Sequence, residues 1–306
     1  MTTKLFEQDK YYFIPHRGIR HIFQLIMFLL LNGGLWFSVT WLVLPINQPP
    51  TSLSVADGAM YTGIYMIIEG VVPFLIIGLI FLIGGLVGRM FCGWVCPFGF
   101  IQDLLAFIPF KKYRPTKDNN ESFSDIAKIM LLVVLAFSVF LGIARVTDNK
   151  EQLQSVQSSF GVFAVDPMGA IDPYATLVGY FPFLSLDVDW SNYSGLNDII
   201  GFDFWVWARL LLFLFAIIGA MLIPRFWCRY FCITGAAMGK IGKNSQIGLE
   251  RNIALCTNCG ICEDICPMDV RILDHPSRIR DSMCISCGDC IAECPEGALS
   301  MTFGLK

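Results

Sequence analysis

The sequence predicts an α-helical integral membrane protein of four transmembrane helices, with a small cysteine-rich α+β domain at its C-terminal end. Three observations predict it. Of 306 residues, 55% are hydrophobic and only 15% charged, where an ordinary soluble chain carries about a quarter charged. Four apolar runs approach the ~20 residues that a bilayer-spanning helix needs. Eight of the twelve cysteines fall between Cys256 and Cys294. The balance of 22 Lys and Arg against 25 Asp and Glu leaves a net charge of −3. That balance argues against a nucleic-acid binder, which would carry a basic stripe.

The first run, Ile22 to Leu44, has no charged residue and reads as a span over 22–44. No leader pattern with a cleavage site precedes it, so it reads as an uncleaved helix. The second span, 64–87, is apolar apart from Glu69. The third and fourth, 126–147 and 204–223, are shorter. Each is extended by a turn whose basic flanks snorkel, and a buried or re-entrant helix is the competing reading for either.

Lys and Arg number four in residues 1–20, none in 45–63, five in 88–125, one in 146–203 and nine in 224–306. This alternation predicts a multi-pass cell-membrane protein with both termini in the cytoplasm and loops 45–63 and 148–203 outside. The apolar stretch Phe160 to Pro182 of the second loop is read as lying on the lipid or on a partner. After the second span, Ile101, Leu104, Leu105 and Ile108 share one helix face. Lys111, Lys112 and Arg114 follow, which suits a helix held in the interface by anionic head groups.

The second and fourth spans end alike. Arg89-Met90-Phe91-Cys92-Gly93-Trp94-Val95-Cys96 closes one, and Arg225-Phe226-Trp227-Cys228-Arg229-Tyr230-Phe231-Cys232 closes the other. Cysteines at i and i+4 share a helix face, so two such ends side by side converge four sulfurs. Cys92, Cys96, Cys228 and Cys232 are therefore a candidate soft-metal or thiol redox site, holding an iron–sulfur cluster, copper or a dithiol. Small cysteines buried at a helix crossing would give the same pairs.

Near the C-terminus, Cys256-x2-Cys259-x2-Cys262-x3-Cys266-Pro267 is followed by Cys284-x2-Cys287-x2-Cys290-x3-Cys294-Pro295. This is bacterial two-cluster ferredoxin spacing, in which the fourth cysteine of each run ligates the other cluster. Cys256, Cys259, Cys262 and Cys294 are assigned to one [4Fe-4S] cluster, and Cys284, Cys287, Cys290 and Cys266 to the second. Disulfides do not suit a cytoplasmic domain, and zinc would use isolated pairs. The chain thus divides into a membrane domain, 1–245, and an α+β ferredoxin domain, 246–306. From Asn252 onward eight acids face four bases. That surface would dock a basic redox partner or serve as ordinary solvated surface.

The four spans, the paired Cys-x3-Cys motifs and the eight-cysteine module together resemble the NapH-type membrane ferredoxins, whose core NosR and CcoG-type proteins share. The resemblance covers nearly the whole chain. The family's membrane motifs read Cys-x3-Cys-Pro; Cys96-Pro97 matches, whereas Ile233 follows Cys232. The resemblance implies electron transfer between the quinol pool and a redox partner, or assembly of a metalloenzyme. Soft thiolates suit Cu(I), so a rival reading is an assembly factor that reduces or hands over copper through Cys92, Cys96, Cys228 and Cys232.

Absences narrow the chemistry. The three histidines, His16, His21 and His275, are not in mid-membrane, so no bis-His haem forms within the bilayer from this chain. There is no Cys-x2-Cys-His, no Rossmann glycine pattern and no Walker lysine. Glu69, Arg145 and Arg209 fall near the outer ends of three spans. With Asp166 or Asp172 they are a candidate quinol or proton site, against a plain structural Glu–Arg pair. The inner pair His16 and His21, beside Arg17 and Arg20, is a second candidate for that site, against an ordinary positive-inside flank, which is the favoured reading. No substrate-converting site is evident.

Overall fold

The computed structural model describes residues 15–32, 42–50, 54–108, 112–113, 117–147, 149–180 and 204–304. Helix α1 runs Pro15–Leu31. Residues 33–41 of the expected first span lie outside the described residues, and Leu42–Leu44 (β1) is extended rather than helical. It pairs in parallel with β2, Ala56–Gly58. The uniform helix read over 22–44 is therefore corrected: the same apolar composition serves a buried strand as well as a helix.

The expected second span is likewise two helices, α2 (Ala59–Ile68) and α3 (Phe74–Val87). Gly70, with φ +76°, and Pro73 break it. Gly63 packs on Ile76, so α2 and α3 fold back on each other. A short helix, α4 (Met90–Trp94), then leads into α5 (Pro97–Ala106). Helix α6 runs unbroken over Lys117–Val146. Its Asp125–Val146 part is the one helix among the described residues long and apolar enough to cross a membrane. Helix α7 (Lys150–Phe160) is followed by short helical turns at Val162–Val165, Pro167–Ile171 and Pro173–Ala175. Helix α8 spans Phe204–Leu222, then come α9 (Phe226–Tyr230) and α10 (Ile233–Gly242).

The two halves are built alike. In each, a returning segment comes back toward the cysteines before the helix that delivers them. Ile46 and Ala56 from the first return and Tyr174 from the second share a buried core with Cys96, Phe98, Trp227 and Cys232. The sequence placed 45–63 and 148–203 on the far side from the cysteines; for Ile46, Ala56 and Tyr174 this is a correction, and residues 181–203 lie outside the described residues. Non-helical backbone at such a place is tolerated because it is covered by protein: Ile46 and Gln48 have no exposed surface.

The C-terminal domain is a three-stranded antiparallel sheet in the order β4–β3–β5, with β3 Ile247–Arg251, β4 Arg278–Ile279 and β5 Leu299–Phe303. One-turn helices α11 (Ile261–Asp264) and α12 (Asp289–Ala292) carry cysteines. Each follows a glycine, Gly260 or Gly288, whose φ of +84° closes the ligand loop in a conformation that side chains resist.

Candidate functional site: three cysteine tetrads

The eight C-terminal cysteines line two hollows. One, of about 350 Å³, is walled by Cys256, Cys259, Cys262 and Cys294. The other, of about 390 Å³, is walled by Cys266, Cys284, Cys287 and Cys290. The first includes the exposed Cys259, whereas Cys287 and Cys290 of the second are buried. These are called the outer and inner tetrads.

The inner tetrad sits against the Cys-x3-Cys motifs. A Cβ added at Gly93 would lie 2.6 Å from the carbonyl oxygen of Ile285 and 3.7 Å from Cα of Cys287. Only glycine permits this approach. Trp94 Nε1 donates to Ser286 O at 3.1 Å, and Arg89 to Ser282 O at 2.9 Å. Cys92 shares its buried core with Cys262, Cys287 and Cys290.

Cys92, Cys96, Cys228 and Cys232 are all buried and close enough that their charges would oppose one another. Burial pushes the Cys228 thiol up to about 12, against the pull of Arg225, and the Cys96 thiol up to about 11. Such thiols are neutral near pH 7 unless a cation binds them.

The frame is reciprocal. Arg89 of the first motif donates to Cys228 O at 2.9 Å, and Arg225 of the second donates to Cys92 O at 2.7 Å. Cys96 and Cys232 stand at equivalent helix starts with matching extended backbones, φ −64° and −69°. Cys232 Sγ accepts from Gly235 N at 3.3 Å, and the Gly99 N–H lies near enough to Cys96 to favour its thiolate. Pro97 and Ile233 both occupy the first helical position, where the N–H needs no intrahelical partner, so the missing proline leaves the geometry intact.

A buried charge network joins the frame to the inner tetrad. Arg225 binds Asp103 at 2.6 Å and Arg17 binds Asp289 at 2.8 Å, with Arg20 between both acids at 3.5 and 3.6 Å. His16 bonds Cys287 O at 2.8 Å. Arg17 and Arg20 are thus not a plain positive flank: they dock the C-terminal domain. Gln102 extends the network, its amide nitrogen 3.0 Å from Cys228 Sγ. Sequence reasoning missed Gln102 and Asp103 because α5 reads as an apolar-faced interfacial helix. Its exposed Leu104 looks outward while Gln102 and Asp103 are buried against the cysteines. Two adjacent polar residues on the reverse face were the available signal. Lys112, read as a head-group ligand, is buried and donates to Met221 O at 2.6 Å at the end of α8. Lys111 and Arg114 lie outside the described residues.

The residues fit anionic groups. Arg20 Nε and Nη1, Arg89 Nε and Arg251 Nε are buried without a hydrogen-bond partner. Arg251 lies beside Cys256 and Arg20 near Cys287. Among the described residues no three His, Cys, Asp or Glu are close enough to ligate a single ion.

The candidate outer residues do not form one group by direct contact. Glu69 pairs with Arg145 at 2.8 Å. Arg209 instead donates to Thr176 Oγ1 at 3.1 Å and to Gly169 O at 2.9 Å, beside Asp166. Asp172 is engaged with Asn47 and Tyr61.

Residues 69–115 and 205–249 match a family described as a 4Fe-4S binding domain, and residues 228–299 match the 4Fe-4S dicluster domain. The fold and tetrads thus define an iron–sulfur protein of the ferredoxin type. The chain is 27% identical to an uncharacterized protein of Methanocaldococcus jannaschii, over 79% of this chain and 80% of that protein. It is 25% identical to the ferredoxin-type protein NapH of Escherichia coli, over 94% of this chain and 88% of NapH. With NapH of Haemophilus influenzae it shares 26% identity over 68% of this chain and 60% of NapH. No solved structure matches. These similarities support a ferredoxin of the NapH type.

Proposed function

We propose that this chain is a membrane-embedded one-electron relay within a larger complex. It links the quinol pool or a membrane redox partner to another redox protein. In this reading the outer and inner tetrads each hold a [4Fe-4S] cluster, and the four membrane-side cysteines hold a third redox centre. Clusters supply reversible one-electron storage at potentials set by charge, hydrogen bonds and burial. The protein's residues set those terms. Arg20 and Arg89 bring buried positive charge, Gln102 brings a polar contact to Cys228, and burial protects the inner tetrad. The exposed Cys259 edge is the side open to a soluble partner.

The observation that carries the reading is the contact of Gly93 with the Ile285–Cys287 loop, which makes the membrane-side and inner sites neighbours. Four membrane-crossing segments are supported by exposed apolar side chains on their helices, among them Ile22, Phe74, Leu82, Leu132, Leu211 and Ile218. A soluble surface seldom gathers so many. Cytoplasmic termini and the cytoplasmic placement of the C-terminal domain rest on the Lys and Arg distribution.

The test is anaerobic purification with iron, sulfide and copper counts and EPR. It compares wild type with a variant carrying Ser at positions 92, 96, 228 and 232. The relay reading expects a third reducible signal in wild type only, with iron and sulfide falling together in the variant. Copper lost by the variant, without loss of iron, would replace the relay with copper handling for metalloenzyme assembly. Colourless, iron-free protein would overturn both.

A further inference from the structure

The two returning segments meet at a buried carboxylate beside the membrane-side cysteines. Asp172 is 3% exposed. Asn47 Nδ2 donates to both its oxygens, at 3.0 and 2.9 Å, and Tyr174 N donates at 3.1 Å. The Tyr61 hydroxyl, from α2, donates to the same carboxylate. Among the described residues no Lys, Arg or His forms a salt bridge with it. Its neighbours are therefore dipoles, not a permanent counter-charge.

One residue joins this carboxylate to the sulfur site. The side chain of Asn47 holds Asp172, its neighbour Ile46 shares a buried core with Cys96 and Tyr174, and the main-chain N–H of Asn47 is near enough to Cys96 to favour the thiolate. Tyr174 completes the bridge: its ring packs on Phe98 at 5.5 Å, its hydroxyl donates to Asn32 at 3.0 Å, and it lies in electrostatic range of both Cys96 and Asp172. The other charged groups around the knot are Asp166 and Arg209, both felt by Tyr61. The Glu69–Arg145 pair is elsewhere, since Glu69 is two turns further along α2 than Tyr61.

A purely structural aspartate would cap the short turn at Pro173–Ala175, and Asp172 does that. Capping alone, however, needs neither two amide contacts nor a buried tyrosine from another segment. In a low-dielectric interior a charge added to the cysteine site raises the proton affinity of a nearby carboxylate that has no fixed cation.

We propose that Asp172 is the proton partner of the four-cysteine site: it takes up one proton when that site gains an electron and releases it on re-oxidation. The site gains the electron from a one-electron donor, the proton comes from water, and the bond formed and broken is the carboxyl O–H. Asp172 acts through Asn47 and is a positioning residue, not a ligand. The proposal rests on the membrane-side cysteines being redox-active.

The test is potentiometric titration of the full-length protein with dithionite, followed by EPR at several pH values. A Cys232→Ser variant identifies which signal belongs to the membrane-side site. In wild type the potential of that signal is expected to fall as pH rises across a defined window. In Asp172→Asn it is expected to be independent of pH, while the signals of the C-terminal tetrads are unmoved. Tyr61→Phe keeps the carboxylate but removes a donor that favours its charged form, so the window should move to higher pH. An unchanged pH dependence in Asp172→Asn, or an unmoved window in Tyr61→Phe, overturns the proposal. A wild-type signal with no pH dependence overturns it while leaving the relay intact. No signal assignable to the membrane-side cysteines overturns both.

Discussion

Replacing Asp103 with Ala strips the counter-charge from the junction between the membrane-side cysteines and the inner tetrad. Asp103 accepts from Arg225 at 2.8 and 2.6 Å and from Gln24 at 3.1 Å, with Arg20 at 3.5 Å. Burial alone would raise its pKa, but Arg225 and Arg20 hold it well below the usual carboxylate range. Arg225 has no exposed surface and Arg20 only 2%. Ala therefore leaves two guanidinium groups buried and short of negative charge, a situation that costs about 3–5 kcal/mol. For a domain of this size that lowers melting by on the order of 10 °C. The sign with pH follows from the depressed pKa. The stabilisation is complete above the unfolded value of about 3.9 and is lost only as pH falls through the lower folded value. The penalty of Ala should therefore be flat between about pH 5 and pH 8. The assay is thermal melting of the detergent-solubilised holoprotein, read by iron–sulfur absorbance and tryptophan fluorescence. Pairing Asp103→Leu with Arg225→Met should recover part of the loss, since removing both partners of a buried pair costs less than removing one. Melting of Asp103→Ala within about 2 °C of wild type would refute the reasoning, as would a double variant less stable than both single ones.

Four other changes test the remaining links. In Gly93→Ala the new methyl stands 2.6 Å from Ile285 O, so the C-terminal domain must retreat by about 0.8 Å to restore ordinary contact, at about 1–3 kcal/mol. Iron content should be kept while electron exchange between the membrane-side site and the inner tetrad slows, read by stopped-flow reduction. Glu69→Gln removes a half-exposed pair with Arg145, worth less than about 1 kcal/mol; quinol-linked reduction of the clusters should be unchanged, and its loss would restore Glu69 to the quinol site. Cys259→Ser should remove the EPR signal of the outer cluster while the inner one remains reducible, whereas Cys287→Ser should block electrons arriving from the membrane side.

How much of this was legible depended on how local each constraint is. The eight C-terminal cysteines were legible because cluster ligation fixes spacing within a few residues, and the loops that carry them repeat it twice. The Cys-x3-Cys repeat was legible for the same reason, and α6 was legible as a helix over 126–147, with a re-entrant helix as the competing reading. The returning segments were hidden. Leu42–Leu44 and the Gly70–Pro73 break sit inside apolar runs, where composition does not separate a helix from a buried strand. Asp172 meets Asn47 and Tyr61 across more than a hundred residues of sequence, which no periodicity records. Arg17 and Arg20 misled for another reason: a basic flank is what the positive-inside rule requires, so their docking of Asp289 had no separate signature.

The crossed arginines carry a consequence for how such a chain can be altered. Arg89 closes the cysteine turn of the second half and Arg225 closes that of the first. Neither half therefore contains its own lock. A chain built from one repeat alone would leave its cysteine turn uncapped and its arginine searching for an acceptor, so the unit of inheritance is the pair, and drift in one copy is policed by the other.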